Sequence, residues 1–504
     1  MKKIKEFFKK FGKYFILVFL LLVGLAAIGV LYLFFVPNSN LFGITYISKN
    51  SNHASEAFNA DSISKVSLTS SHYDVSVVTT DANSVQVKVL NNSFGFVKKE
   101  YNEVVITSEL LDETLNLKVQ EPTGFALTNN SYIQLILPKN KALDLDLINS
   151  TAETTISADG LAIDELKYTT SNGNATLGTA TVYGNMNLDL GNATFTIGSN
   201  LVLSVPSIND INLKLTTGKL DASSAILGDV NVLSNERGVI RIKECINFNE
   251  EVEIAGGSIQ IDKLFGAVIK TSDSNVTLGE VTNSVVIKLS KSGSVHITSL
   301  SGISDIETNQ GEVYIDKVYS DQLVLQTTNG NITVSQAYNH IEALTNHGTI
   351  KVTWADDAER HNPTDGKKYR SLSANIDGNG KVVAKNVDYV NVQIKGRGRA
   401  DLSMSNISGK NIINGDDGSV SISVDKNSKY ALKTTSEAGA VQVNLTQVPN
   451  FKGYTDKDHE LVYVNSEESA YPADKNLDTW SIDENLLQVT TKTGSITILD
   501  TNFS

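Results

Sequence analysis

An all-β fold, a parallel β-solenoid with coils of 18–20 residues behind one N-terminal transmembrane α-helix, is what this sequence predicts. Three observations carry the expectation. The composition is poor in Pro (7), Cys (1), Met (3) and Trp (2), yet carries 35 Gly among abundant Val, Ile, Leu, Thr, Ser and Asn, the usage of many short strands divided by turns. A strand–bend–strand unit recurs at a fixed period. A single long apolar run stands near the N-terminus.

That run, residues 14–36 (YFILVFLLLVGLAAIGVLYLFFV), holds 23 residues without a charge, enough to cross a hydrocarbon core of about 30 Å as a helix. Residues 1–13 carry six Lys and one Glu and read as a basic cytoplasmic tail, because the lysine excess lies on one side of the span. The body is then extracytoplasmic and the chain a single-pass protein of the cell membrane. A cleaved signal peptide competes, since Gly24-Leu25-Ala26 resembles a cleavage site, but ten further apolar residues follow Ala26. Neither a lipoprotein cysteine nor a sorting tail is expected. Residues 37–60 read as a polar linker, and residues 61–504 as the solenoid.

The tail contributes +5 to a total of −13, so residues beyond the apolar run sum to −18. So acidic a body repels phosphate backbones, which excludes nucleic acid as an expected partner.

The repeat is clearest in VIKTSDSNVTLG from Val268, VVIKLSKSGSVHIT from Val285, IETNQGEVYID from Ile306, LVLQTTNGNITV from Leu323 and IEALTNHGTIKV from Ile341. Bends at Gly257, Asn275, Gly293, Gly311, Gly330 and Gly348 are separated by 18 or 19 residues. Alternate Val, Ile and Leu are expected inside, with Thr, Lys, Asp and Gln outside. Bend glycines are expected to supply positive φ, and Thr and Asn beside them to form ladders along the axis. Isolated antiparallel hairpins would explain one Asn-Gly pair but not its regular recurrence. Residues 61–150 are strand-rich but less regular and read as the first coils and a cap.

Two insertions interrupt the period, residues 353–372 and 447–485, and hold both tryptophans. Recognition commonly resides in loops on a rigid scaffold, which makes Trp354, Tyr369, Phe451, Tyr454, Tyr463, Tyr471 and Trp480 the candidate recognition or capping residues. In the capping alternative the second insertion shields an open sheet edge left by the last strand, Gly494 to Leu499.

Catalytic chemistry has no signature: there is no GxSxG, HExxH, P-loop or helix-linked GxGxxG. The seven histidines (53, 72, 296, 340, 347, 361, 459) are scattered and read as solvated surface groups. The pairs Asp356-Asp357, Asp416-Asp417 and Asp456/Asp458 sit in turns without calcium-loop spacing. Cys245 is unpaired and reads as a buried inert thiol. No catalytic residue, cofactor or metal site is expected, although a carboxylate cluster on one face, as in polysaccharide-processing β-helices, is an alternative that coil alignment alone would decide.

The unit strand–TTxNG–strand, the opening VSLTSSHYDVSVV and the junction YIQLILPKNKALDLDLINSTAETTIS at residues 132–157 resemble the bacterial adhesin-like family DUF4097, over about residues 61–446 and again at 486–499. The resemblance implies a β-solenoid exposed at the bacterial envelope and carries no catalytic residues. The implied role is a non-enzymatic surface module, adhesive or structural, whose partners are envelope or host-surface glycans or proteins. The second role it implies is an envelope-stress sensor or regulator acting through a membrane partner.

Overall fold

The computed structural model describes residues 2–36, 39–203, 210–250, 255–361, 369–428, 430–445, 454–455, 460–465 and 485–501. The fold is almost all β, 62% strand, with one N-terminal apolar helix. The chain divides into two compact units, Met1–Ser204 and Val205–Ser504.

In the first unit the helix runs Lys2–Phe35, and its apolar stretch Tyr14–Phe35 is exposed along nearly all its length, Leu33 being buried. The expected polar linker is largely a strand instead. Ile44–Ala54 pairs antiparallel along its whole length with Ser84–Lys98, whose far part pairs in turn with Tyr132–Pro138. Alternation explains it: Thr45 and Ile47 point into the unit and half-buried Ser51 and His53 follow on the same side, while Ser48, Asn50 and Asn52 face outward. Parallel stacking begins at Lys65–Ser70, which lies between Thr114–Gln120 on one side and Leu143–Asn149 on the other. The first coil of the stack is therefore formed by a later piece of chain. Val105–Leu111 closes an antiparallel hairpin against Thr114–Gln120.

In the second unit, from Val285 to Met404, each strand pairs in parallel with the strand one coil away and not with its sequence neighbour. Val295 lies on Val313 and Val313 on Ile332, in steps of 18 and 19 residues, and Ile332 on Ile350. Ser304–Thr308, Gln322–Thr327 and His340–Thr345 form the second ladder in the same manner. Parallel pairing across one period rules out independent hairpins and establishes the solenoid. Ile332, Val334, Ile350 and Val352 are completely buried, as the alternation requires.

The bends depart from expectation in their physics. Among Gly257, Gly311, Gly330 and Gly348, only Gly257 has positive φ, 108°. Close approach governs the others: a Cβ on Gly330 would collide with the carbonyl oxygen of Gly311, and one on Gly348 with that of Gly330. At several bends the side chain three residues earlier turns inward and holds the corner. Thr308 Oγ1 accepts from Gly311 N at 2.9 Å, Asn235 Oδ1 from Gly238 N at 2.6 Å, and Ser436 Oγ from Gly439 N at 2.9 Å. An asparagine ladder along the axis forms within the strands rather than beside the bends, Asn249 to Asn231 and Asn231 to Asn212.

The last coils are out of sequence order. Leu486–Thr491 lies between Lys410–Gly415 and Tyr430–Ser436, and Ile496–Thr501 between Ser419–Asp425 and Val441–Asn444. The strand expected to end the solenoid with an open edge is thus paired on both sides. Tyr430–Ser436 is the outer strand, and Glu460–Asn465 pairs antiparallel with it.

Candidate functional site: the pinned insertion and its tyrosine corner

Of the residues expected on the first insertion, Trp354 is not at the surface. It ends the strand Thr349–Trp354, stacks in register with small Ala337 and is fully buried, with its Nε1 donating to the carbonyl of Asn339 at 2.8 Å. A large ring fits here because alanine occupies the same position one coil below. Its role is core packing. Tyr369 is half-buried.

Beyond Trp354 the chain is held down by buried polar groups. Arg370, at φ 38° and 2% exposed, donates Nε to the carbonyl of Ala358 at 3.1 Å and Nη2 to those of Ala355, at 2.7 Å, and Asp356. Burial pushes its guanidinium below the usual arginine range, opposed by the charge of Asp388. Asp388 is fully buried and accepts from Arg360 Nη1 at 3.0 Å, Ser405 Oγ at 2.9 Å and the His361 amide at 3.2 Å. Asn386 donates to the carbonyl of Trp354 at 3.2 Å and to Asp356 Oδ1 at 2.8 Å. These groups are spent on one another, so they pin the insertion rather than offer reactive chemistry. His340, read from the sequence as a solvated group, is buried, with Nδ1 2.8 Å from Ser371 Oγ.

The surface this pinning presents was not singled out from the sequence. Tyr319 and Tyr338 occupy one corner of successive coils and stack with centroids 4.5 Å apart at 22°. Desolvation pushes the Tyr338 hydroxyl up to about 12, with the neighbouring Tyr319 and the carboxylate of Asp357 adding to the rise. Asn339 donates to the carbonyl of Tyr319 at 3.0 Å and to Asp321 at 3.2 Å. On the strands that precede these tyrosines Ser335 donates to the Tyr314 hydroxyl at 2.8 Å, and His296, one coil earlier, meets Tyr314 edge-on and pairs with Asp316 at 3.1 Å. The signal was present: Val318-Tyr319-Ser320 and Ala337-Tyr338-Asn339 stand one period apart. Aromatic rings flanked by carboxylates and amides suit a neutral polar ligand with apolar C–H faces. Among the described residues no group of three His, Cys, Asp or Glu is placed to hold a metal.

Of the second insertion, Phe451, Tyr471 and Trp480 lie outside the described residues, as do Asp456 and Asp458. Tyr454 and Tyr463 lie in the short strands Tyr454–Thr455 and Glu460–Asn465. Cys245 is buried, and desolvation pushes its thiol up to about 12, which keeps it protonated and unreactive.

No family model matches the chain, and no curated protein matches it. Two solved structures show a likeness to it. One, described as a "putative cell adhesion protein" from Clostridium sporogenes ATCC 15579, shares 8% identity over 90% of this chain and 100% of its own, with a TM-score of 0.14. The other, a "putative adhesin" from Parabacteroides distasonis ATCC 8503, shares 16% identity over 70% of this chain and 96% of its own, with a TM-score of 0.15. At such scores the likeness carries no argument.

Proposed function

We propose that the chain is a non-enzymatic, membrane-anchored surface module of the adhesin type, held by its apolar helix with the lysine-rich tail inside. The observation that carries this reading is the Tyr319–Tyr338 stack, with Tyr319 exposed and Tyr338 half-buried, beside Asp357 in a segment whose neighbouring carbonyls, those of Ala355, Asp356 and Ala358, the buried Arg370 holds. Rigid aromatic groups bind with little entropic cost, which is what a surface recognition site requires. The ligand class this surface suits is a neutral glycan, because a body of −18 disfavours anionic polymers. Full-length protein displayed on a non-adherent cell is tested for retention on neutral polysaccharide surfaces. Retention that is lost in Tyr319→Ala/Tyr338→Ala, with melting unchanged, supports the reading. Retention unaffected by the pair moves recognition elsewhere.

A further inference from the structure

We infer that the first antiparallel ribbon is a foot seated in the headgroup layer of the outer leaflet, with Phe42 inserted and the face bearing Tyr46, Phe94 and Phe96 lying against lipid. The inference rests on the reading that Tyr14–Phe35 spans the membrane. Its starting point is that the chain does not leave the helix as a free tether. Ser39 Oγ donates to the carbonyl of Leu33 at 3.3 Å, the Ser39 amide donates to that of Val36 at 3.1 Å, and Leu33 is buried by the returning chain.

The return goes further down the helix than its end. Leu41 packs on bare Gly29, where a Cβ would stand 2.9 Å from Leu41 Cδ2. Gly29 precedes Phe35 by six residues, which at 1.5 Å each places Leu41 about 9 Å below the last turn. The 22-residue apolar stretch is about 33 Å long, against a hydrocarbon core of about 30 Å. Even with the excess of about 3 Å placed wholly outside, residues beside Gly29 lie about 6 Å inside the outer boundary of that core, so the turn that carries Phe42 dips below the headgroup layer in which the rest of the ribbon sits. Phe42 follows Leu41, takes φ 54° in the tight turn closed by Leu41 and Ile44, and is 95% exposed to whatever surrounds the protein.

Register supplies the rest of the face. Tyr46 stands opposite Phe96 and Ser48 opposite Phe94, so by alternation these side chains share the side of the ribbon that meets the helix. Phe34, Tyr46 and Phe96 form a chain of ring contacts at 4.6 and 5.5 Å, which fixes the ribbon to the helix end. Phe94 remains 46% exposed on that face, and Phe35 73%. Exposed phenylalanine beside a span, in a ribbon bolted to it, matches an aromatic belt at the membrane boundary. Charge contributes little: Lys98 and Lys99 flank the turn, with the Lys99 amide on the carbonyl of Gly43 at 2.9 Å, but Glu100 follows them. Seating is by apolar insertion and does not require anionic lipid.

The test uses the full chain reconstituted in phosphatidylcholine vesicles with acyl chains brominated near the headgroup or near the midplane. Phe42→Trp, Phe94→Trp and Leu20→Trp are compared, with wild-type emission subtracted. The foot predicts quenching of about two-fold or more at 42 and a clear effect at 94, both stronger with shallow bromines, and deep quenching at 20. Gly29→Leu, which displaces Leu41, should relieve quenching at 42 and leave position 20 unchanged. Quenching at 20 with none at 42 and 94 would overturn the foot while leaving the span intact. No quenching at any of the three would overturn the span and the foot together.

Discussion

A methyl group at position 330 would stand against the carbonyl oxygen of Gly311, where a backbone atom rather than a yielding side chain blocks it. Gly330→Ala should therefore destabilise the second unit by about 1–3 kcal/mol although its φ is ordinary, read as a fall in the denaturant midpoint. Two residues on, inward and outward positions separate. Ile332→Asp buries a carboxylate among apolar neighbours and should cost about 4 kcal/mol or more. Thr333→Asp, on the outer face between Tyr314 and Lys351 in register, should stay within about 0.5 kcal/mol. Equal effects in urea melts would mean that the coil is not packed as described. Alternation was legible here because Ile and Val repeat on one parity. What the residue types did not reveal is why the bend is glycine, since close approach between coils is a property of two coils and not of one.

Among elements, the first insertion shows how a loop is kept in place. Arg370→Ala leaves the carbonyls of Ala355, Asp356 and Ala358 without their donor and removes a positive charge beside buried Asp388, a loss of about 3–5 kcal/mol. The expected outcome is rapid proteolytic nicking between residues 355 and 370. The coils on either side should survive longer, because Ile350 stacks directly on Val382 across the insertion. Nicking at wild-type rate would show that Trp354 alone holds the segment. The insertion itself was visible as a break in period, and its tryptophan drew attention. Its orientation was not visible, because only the register with Ala337 shows that the ring has room below it. The strand Ile44–Ala54 was hidden for a related reason: its partner Ser84–Lys98 is distant in sequence, and its inner face turns from Thr45 and Ile47 to polar Ser51 and His53, which breaks the apolar alternation.

Across the whole molecule, buried phenols set a limit at high pH. Desolvation raises Tyr73, Tyr168 and Tyr389 above the ordinary tyrosine value. An unfolded chain releases these protons near pH 10, whereas the folded chain holds them, so above that point the unfolded state binds fewer protons and stability falls as pH rises. Below pH 10 these groups are neutral in both states and their contribution is constant. Melting temperature should accordingly drop from about pH 10 upward in step with the absorbance of ionising tyrosine. Tyr73→Phe, which also gives up the hydrogen bond to Asn91 at 2.8 Å, should be less stable at pH 8 yet show a shallower decline.

The placement of the final strands bears on how synthesis proceeds. A ribosome delivers residues 430–444 before residues 486–501, yet the later segment belongs between the earlier one and Lys410–Gly415. Until then, Tyr430–Ser436 and Lys410–Gly415 are near in sequence, alike in pattern and free to pair directly, and the shorter closure favours that wrong neighbour. The newborn end must therefore keep a slot open or undo a mispairing when its last residues arrive. Refolding of the full chain should show a slow phase that disappears in a chain stopped at residue 445, followed by double-jump stopped flow. A growing solenoid usually needs only the coil before it, but this one waits for the coil after.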